Sequence, residues 1–309
     1  MLDLLTSAAG LVLLVFAGDF LVRGAVSLSL RLGIPALIVS LTVVAFGTSA
    51  PELLIAIKAA LSGVPGIAFG NVIGSNIANV WLVMGLPALL APIATAECDT
   101  RRSYVQMIVA TAVFIGLCFI GPFGFWQGIL LLGLLTAMLV SAARAAGRAR
   151  ISAEDLDDGD PNMPAWKIGA FLGAGLIGLP IGANLLIVGA TAIAERLGVS
   201  DAVIGLTLVA VGTSLPELAT TVMAALRRQA DVVIGNVIGS NMFNLLAIMG
   251  VASFFGPLDV DPAFLVYDLW VMAAASLVLI PFVFLKWTLG RFVGAGFLVI
   301  YAAYISTLF

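Results

Sequence analysis

Long apolar stretches separated by short polar or charged breaks run along almost the whole chain. They can be drawn at about 4–30, 34–61, 65–92, 103–120, 125–146, 165–196, 200–226, 230–256, 264–285 and 290–308. Each is long enough to cross a hydrocarbon core of ~30 Å as a helix. The pattern therefore predicts an all-α integral membrane protein with ten transmembrane helices. The first stretch exceeds a signal-peptide core and has no basic lead, so it counts as a span.

Within this pattern, two polar blocks recur. Gly47-Thr48-Ser49-Ala50-Pro51-Glu52 is matched by Gly212-Thr213-Ser214-Leu215-Pro216-Glu217. Each is followed by Gly-Asn-Val-Ile-Gly-Ser-Asn, at Gly70 to Asn76 and again at Gly235 to Asn241, and every pair lies 165 residues apart. The match runs from Gly33 and Gly198 to Pro92 and Pro257, defining repeats at about 33–92 and 198–257. Five spans separate the copies, an odd number, so the second enters the membrane from the opposite face. The expected organisation is two inverted five-helix repeats, 1–146 and 164–309, joined by a linker at 147–163. Broken helices 2, 3, 7 and 8 would surround a midplane site, since unwound backbone at membrane depth survives only where it lines a cavity.

Composition agrees with a membrane protein, with 62% hydrophobic and 10% charged residues, against ~25% charged in soluble domains. Lysine and arginine set orientation. Arg31, Arg101, Arg102, Arg144, Arg148, Arg150, Lys167, Arg227, Arg228, Lys286 and Arg291 fall on one side, and little beyond Lys58 and Arg196 on the other. The basic side reads as cytoplasmic, with both termini outside and the host membrane a plasma (inner) membrane. The linker is acidic, with Glu154, Asp155, Asp157, Asp158 and Asp160. It lacks the spacing and closing glutamate of an EF-hand and reads as a solvated cytoplasmic connector. Cys98 and Cys118 are expected to be free thiols. Nothing points to a nucleic acid, an obligate protein partner or a prosthetic group.

The candidate chemistry lies in the repeated blocks. Glu52 and Glu217 stand in apolar spans, where an acidic group costs ~2.5–3.5 kcal/mol on translocon scales. Two such carboxylates converging in low dielectric repel each other unless a cation lies between them. Pro51 and Pro216 remove backbone donors and free the carbonyls of Gly47 and Gly212. Thr48 and Glu52, four apart, share a helix face, as do Thr213 and Glu217. Ser49 and Ser214 add hydroxyls, and Ser75 with Asn79 and Ser240 with Asn244 add further neutral oxygens. Asn71, Asn76, Asn236 and Asn241 are expected to cap or bridge broken backbone. The donor set is all oxygen, and the chain has no histidine, which suits calcium, sodium or magnesium rather than zinc or copper. Asp19 and Arg23, four apart in the first span, form a local pair not repeated at Asn184 and Val188.

Other functions fit less well. An intramembrane hydrolase would lack its histidine base or zinc ligand, and Lys58 and Lys167 lie at predicted interfaces. The chain is therefore not expected to be an enzyme. Inverted repeats with paired carboxylates suit occlusion of an ion better than a continuous pore.

At these motifs the chain resembles the sodium/calcium exchangers of the calcium/cation antiporter superfamily, in their compact prokaryotic form. The resemblance implies secondary antiport of calcium against sodium, with four ion sites at the midplane and the first and sixth helices sliding across the other eight. It implies Glu52 and Glu217 as shared carboxylates, with side chains of Thr48, Ser49, Ser75, Asn79, Thr213, Ser214 and Ser240 and carbonyls of Ala45, Thr48, Ala210 and Thr213. Where the second repeat of such exchangers often has an aspartate, this chain has Asn244. Two formal negative charges neutralise one calcium ion but favour three sodium ions less. Coupling of calcium or another cation to protons is the alternative.

Overall fold

The computed structural model describes residues 2–146, 163–197 and 212–308. The acidic cluster of the linker and residues 198–211, with Gly198 and Ala210, lie outside the described residues. Among the described residues, six helices are long and apolar enough to cross a membrane. They are α1 (Leu2–Leu32), α4 (Pro65–Leu90), α5 (Arg101–Ile120), α6 (Phe125–Ala146), α7 (Ala165–Arg196) and α9 (Ala230–Ala252). A bent pair, α2 (Ala36–Thr48) and α3 (Ala50–Leu61), meets at 46°. Three shorter apolar helices complete the set: α8 (Leu215–Leu226), α10 (Asp268–Phe284) and α11 (Arg291–Ser306).

The bend between α2 and α3 follows from sequence. Pro51 cannot donate to the Gly47 carbonyl, and Ser49 leaves helical geometry at φ −85°, ψ 8°. Ser214 takes nearly the same values, φ −83°, ψ 1°, just before α8. The second block behaves differently from expectation. Gly70 to Asn76 and Gly235 to Asn241 run as unbroken helix. Gly235 and Gly239 place backbone against α2 rather than interrupting the helix. The departure comes later, where the Val83 amide donates to the Ala78 carbonyl five residues back and α4 loosens after Trp81. At the equivalent point α9 widens into a π segment over Phe243–Ile248 without breaking.

Helix ends repeat as well. Gly63, at φ +69°, ends α3 with Val64 donating to the Ala59 carbonyl. Arg228, 165 residues on, ends α8 the same way at φ +58°, with Gln229 donating to Ala224. Only the first has glycine, which enters this region without penalty.

α9 is wholly buried and α4 largely so, whereas α1, α6 and α7 leave most of their surface open to lipid. Among the described residues the buried apolar side chains form two clusters. The larger spans α3 to α6 and α8 to α11 and takes in Val22 and Val26 of α1 and Ala36, Leu41 and Ala45 of α2. The smaller joins α1, α2 and α7 through Leu14, Ala17, Leu21, Ala25, Val39, Val44, Leu179 and Ala183. α1 and α7 touch backbone to backbone: a Cβ on Gly10 would lie 2.5 Å from the Leu186 nitrogen, and one on Gly182 3.0 Å from the Leu14 nitrogen. Small residues that let helices approach this closely are the usual adhesive inside a bilayer.

Ends assigned to one side by the span pattern also meet. Ile93 bridges Leu289, and the Lys286 ammonium reaches the Cys98 carbonyl. Phe123 bridges Leu258 at the other end, where Asp3 pairs with Arg196 at 2.6 Å. Cys98 and Cys118 are both buried.

Candidate functional site

α3 and α8 each begin at the chain break with a glutamate in the first turn. There the unpaired amides and the helix dipole favour negative charge. Glu52 and Glu217 are each 1% exposed, and the two carboxylates lie within electrostatic reach of each other. Neither faces lipid.

The halves interlock at this point. The Ser49 hydroxyl donates to Glu217 Oε1 at 3.1 Å, and Thr48 also reaches that carboxylate. The break at Ser49 falls between Thr48 and Glu52, and the first-repeat hydroxyls reach the second-repeat glutamate. Asn79, buried like its neighbours, donates to Asn241 Oδ1 at 3.0 Å, again across the halves.

Two asparagines fix the glutamate-bearing turns. Asn71 Nδ2 donates to the Glu52 carbonyl at 3.1 Å, and Asn236 Nδ2 to the Glu217 carbonyl at 3.4 Å. Asn76 donates to the Val72 carbonyl at 2.7 Å. Asn71 and Asn236 thus bridge to the turns at the breaks, whereas Asn76 bonds within its own unbroken helix. Thr221 was not foreseen: its hydroxyl donates to the Glu217 carbonyl at 2.7 Å and accepts from Asn236 at 3.1 Å. The signal was Thr220-Thr221 within an apolar helix, where the first repeat has Ile55-Ala56.

Several buried oxygens in this region have no hydrogen-bond partner: Glu52 Oε2, Glu217 Oε2, Ser214 Oγ, Ser240 Oγ, Asn79 Oδ1 and Asn244 Oδ1. A neutral buried polar atom left so costs ~1–3 kcal/mol, and a charged one more. A hard cation taking oxygen ligands at ~2.3–2.6 Å would satisfy them together. Among the described residues there is no cluster of three or more histidine, cysteine or acidic side chains. The carboxylate pair with neutral oxygens is thus the site's chemistry. The Ala45 carbonyl already accepts from the Ser49 amide at 3.1 Å and from Thr48 at 3.3 Å. It has no more than a second lone pair to offer. Ala210 lies outside the described residues.

A cavity of about 370 Å³ reaches this region. Ser75 and Thr213 line it, as do Gly70 and Gly74. Their counterparts Gly235 and Gly239 are instead closed against α2, where added Cβ atoms would lie 2.8 Å from the Leu37 carbonyl and 2.6 Å from that of Leu41.

Asp19 does more than expected. It pairs with Arg23 at 3.1 Å, and it also binds the Arg227 guanidinium, whose Nε donates to Oδ1 at 2.6 Å. α1 is so tied to the end of α8.

A family model described as "Sodium/calcium exchanger protein" matches residues 2–143 and 167–309. The chain is 39% identical over 277 residues to the "Putative antiporter CaxA" of Alkalimonas amylolytica, covering 88% of this chain and 86% of that protein. With the "Sodium/calcium exchanger MaX1" of Methanosarcina acetivorans it is 33% identical, covering 97% and 96%. A solved structure of the sodium-calcium exchanger NCX_Mj, soaked with Na+ and Ca2+, superposes with a TM-score of 0.85 at 32% identity, covering 100% of this chain and 99% of that one.

Proposed function

Because the chain belongs to the sodium/calcium exchanger family, a family of membrane antiporters and not of enzymes, we propose that it exchanges Ca2+ for Na+ by alternating access. In this reading ten helices form two inverted five-helix repeats with both termini outside. Glu52 and Glu217 share the transported ions at the midplane. Thr48, Ser49, Ser75, Asn79, Thr213, Ser214, Ser240 and Asn244 supply neutral oxygens, and Ala45 and Ala210 supply carbonyls.

The observation that carries the reading is the meeting of two buried carboxylates amid orphaned oxygens from both halves. Two negative charges match one divalent cation. With calcium gone, sodium ions would have to restore that neutrality, which couples the two fluxes.

The cavity beside Gly70 and Gly74 is lined also by Ile67, Ile305 and Leu308, at the end that the charge pattern assigns to the outside, which supports access to the site from that face.

Calcium uptake into sodium-loaded proteoliposomes tests the proposal. Glu52→Gln and Glu217→Gln should each reduce uptake ~100-fold or more, the scale of losing ~3 kcal/mol from a buried charge cluster. Uptake equal to the parent in both would remove the glutamates from the mechanism.

A further inference from the structure

The cavity has a second polar feature at its wall. Asp268 opens α10 and lines the cavity together with Tyr301 and Tyr304 of α11. The Tyr304 hydroxyl donates to Asp268 Oδ1 at 2.8 Å, and its ring stacks on Tyr267 at 6.3 Å between centroids. The carboxylate is thus oriented rather than free to swing, and its other oxygen remains available. Asn71 also lines the cavity. Its amide nitrogen is committed to the Glu52 carbonyl, which leaves Oδ1 as an acceptor.

We propose that Asp268, oriented by Tyr304, forms an outer cation-staging site that holds a hydrated divalent ion on its way to Glu52 and Glu217. This rests on the exchanger reading for its purpose but not for its chemistry. At ~30 Å³ per water, about 370 Å³ accommodates an ion with its first hydration shell. One carboxylate with hydroxyl and amide oxygens holds such an ion weakly enough to release it. A negative charge on a low-dielectric wall focuses the field and raises the local cation concentration, and effects of this kind speed entry by ~10-fold or more. Ser75 and Thr213 line the same space as Asp268, so the ion passes from the staging group to central-site donors within one cavity.

Terbium ion, a hard-cation probe whose emission is sensitised by nearby tyrosine, reads the site directly. In purified protein carrying Glu52→Gln and Glu217→Gln, tyrosine-excited terbium emission should retain a weak saturable component. Adding Asp268→Asn should abolish it, and Tyr304→Phe, which keeps the carboxylate, should weaken it. Asp259→Asn with Asp261→Asn should leave it unchanged. In otherwise unaltered protein, Asp268→Asn should raise half-saturating calcium for uptake about tenfold, with a much smaller effect on the saturated rate. The shift should shrink as ionic strength rises. Emission that survives Asp268→Asn, or that follows Asp259 and Asp261 instead, overturns the proposal. So does an unchanged half-saturating concentration. A parent protein that binds terbium at Asp268 but carries no calcium would sink the exchanger reading and leave the site standing.

Discussion

At the scale of single residues, the informative feature is which half serves which glutamate. Ser49 donates across the repeats to Glu217, and a hydrogen bond to a charged group contributes ~1.5–3 kcal/mol. Ser49→Ala should therefore raise half-saturating calcium by about ten- to a hundredfold. An unchanged value in a calcium titration of uptake would mean that the bond does not order the site. Asn244 presents the opposite case, a buried amide oxygen without a partner at a place where a carboxylate would add a third charge. Asn244→Asp is expected to steepen the sodium dependence of calcium efflux and to increase the charge moved per calcium, both measurable by current and flux in the same vesicles. If neither changes, Asn244 lies outside the sodium-binding set.

Among elements, helix ends and helix contacts make the testable claims. Arg228 holds a left-handed conformation that glycine holds at the equivalent Gly63. A non-glycine residue there costs ~1–2 kcal/mol, so Arg228→Gly should raise the melting temperature measured in detergent. Because Arg227 next to it binds Asp19, a loss of stability would indicate that Arg228 has a stabilising role beyond its backbone. Contact between α1 and α7 makes the reverse prediction. Gly10→Val would drive a side chain into the Leu186 backbone, and overpacking of this kind costs ~1–3 kcal/mol. Lower thermal stability is the expected result, and an unchanged melt would show that the pair can separate there.

For the whole molecule, α1 and α8 meet through apolar contact, with Leu215 and Ala219 packed on the core of α1, α2 and α7, and through the pair of Asp19 with Arg227. The pair ties α1 to the end of α8. It should favour the arrangement in which the cavity opens beside Ile305. A cysteine placed at Ile305, with Cys98 and Cys118 buried and quiet, can be labelled through that cavity. Asp19→Asn should lower its labelling rate severalfold, in keeping with a loss of ~1–3 kcal/mol from a partly buried pair. A labelling rate unaffected by Asp19→Asn would separate the ion pair from the conformational balance.

Membrane class, candidate repeat boundaries and the glutamate pair were legible from the chain alone, because burial of charge and helix length are local requirements of a bilayer. Pro51 likewise announced the bend at Ser49, since a missing N–H acts within one turn. Local pattern misjudged the Gly70 to Asn76 stretch: glycine permits a break but equally permits close packing, and only the neighbouring helix decides between them. Nor could spacing along the sequence show that Thr48 and Ser49 turn to Glu217, that Asp19 finds Arg227 more than two hundred residues away, or that Asp268 meets Tyr304. Those pairings depend on how distant helices cross. The chain specified near-equivalent chemistry in its two repeats, and the packing of the helices decided which groups of one repeat meet those of the other.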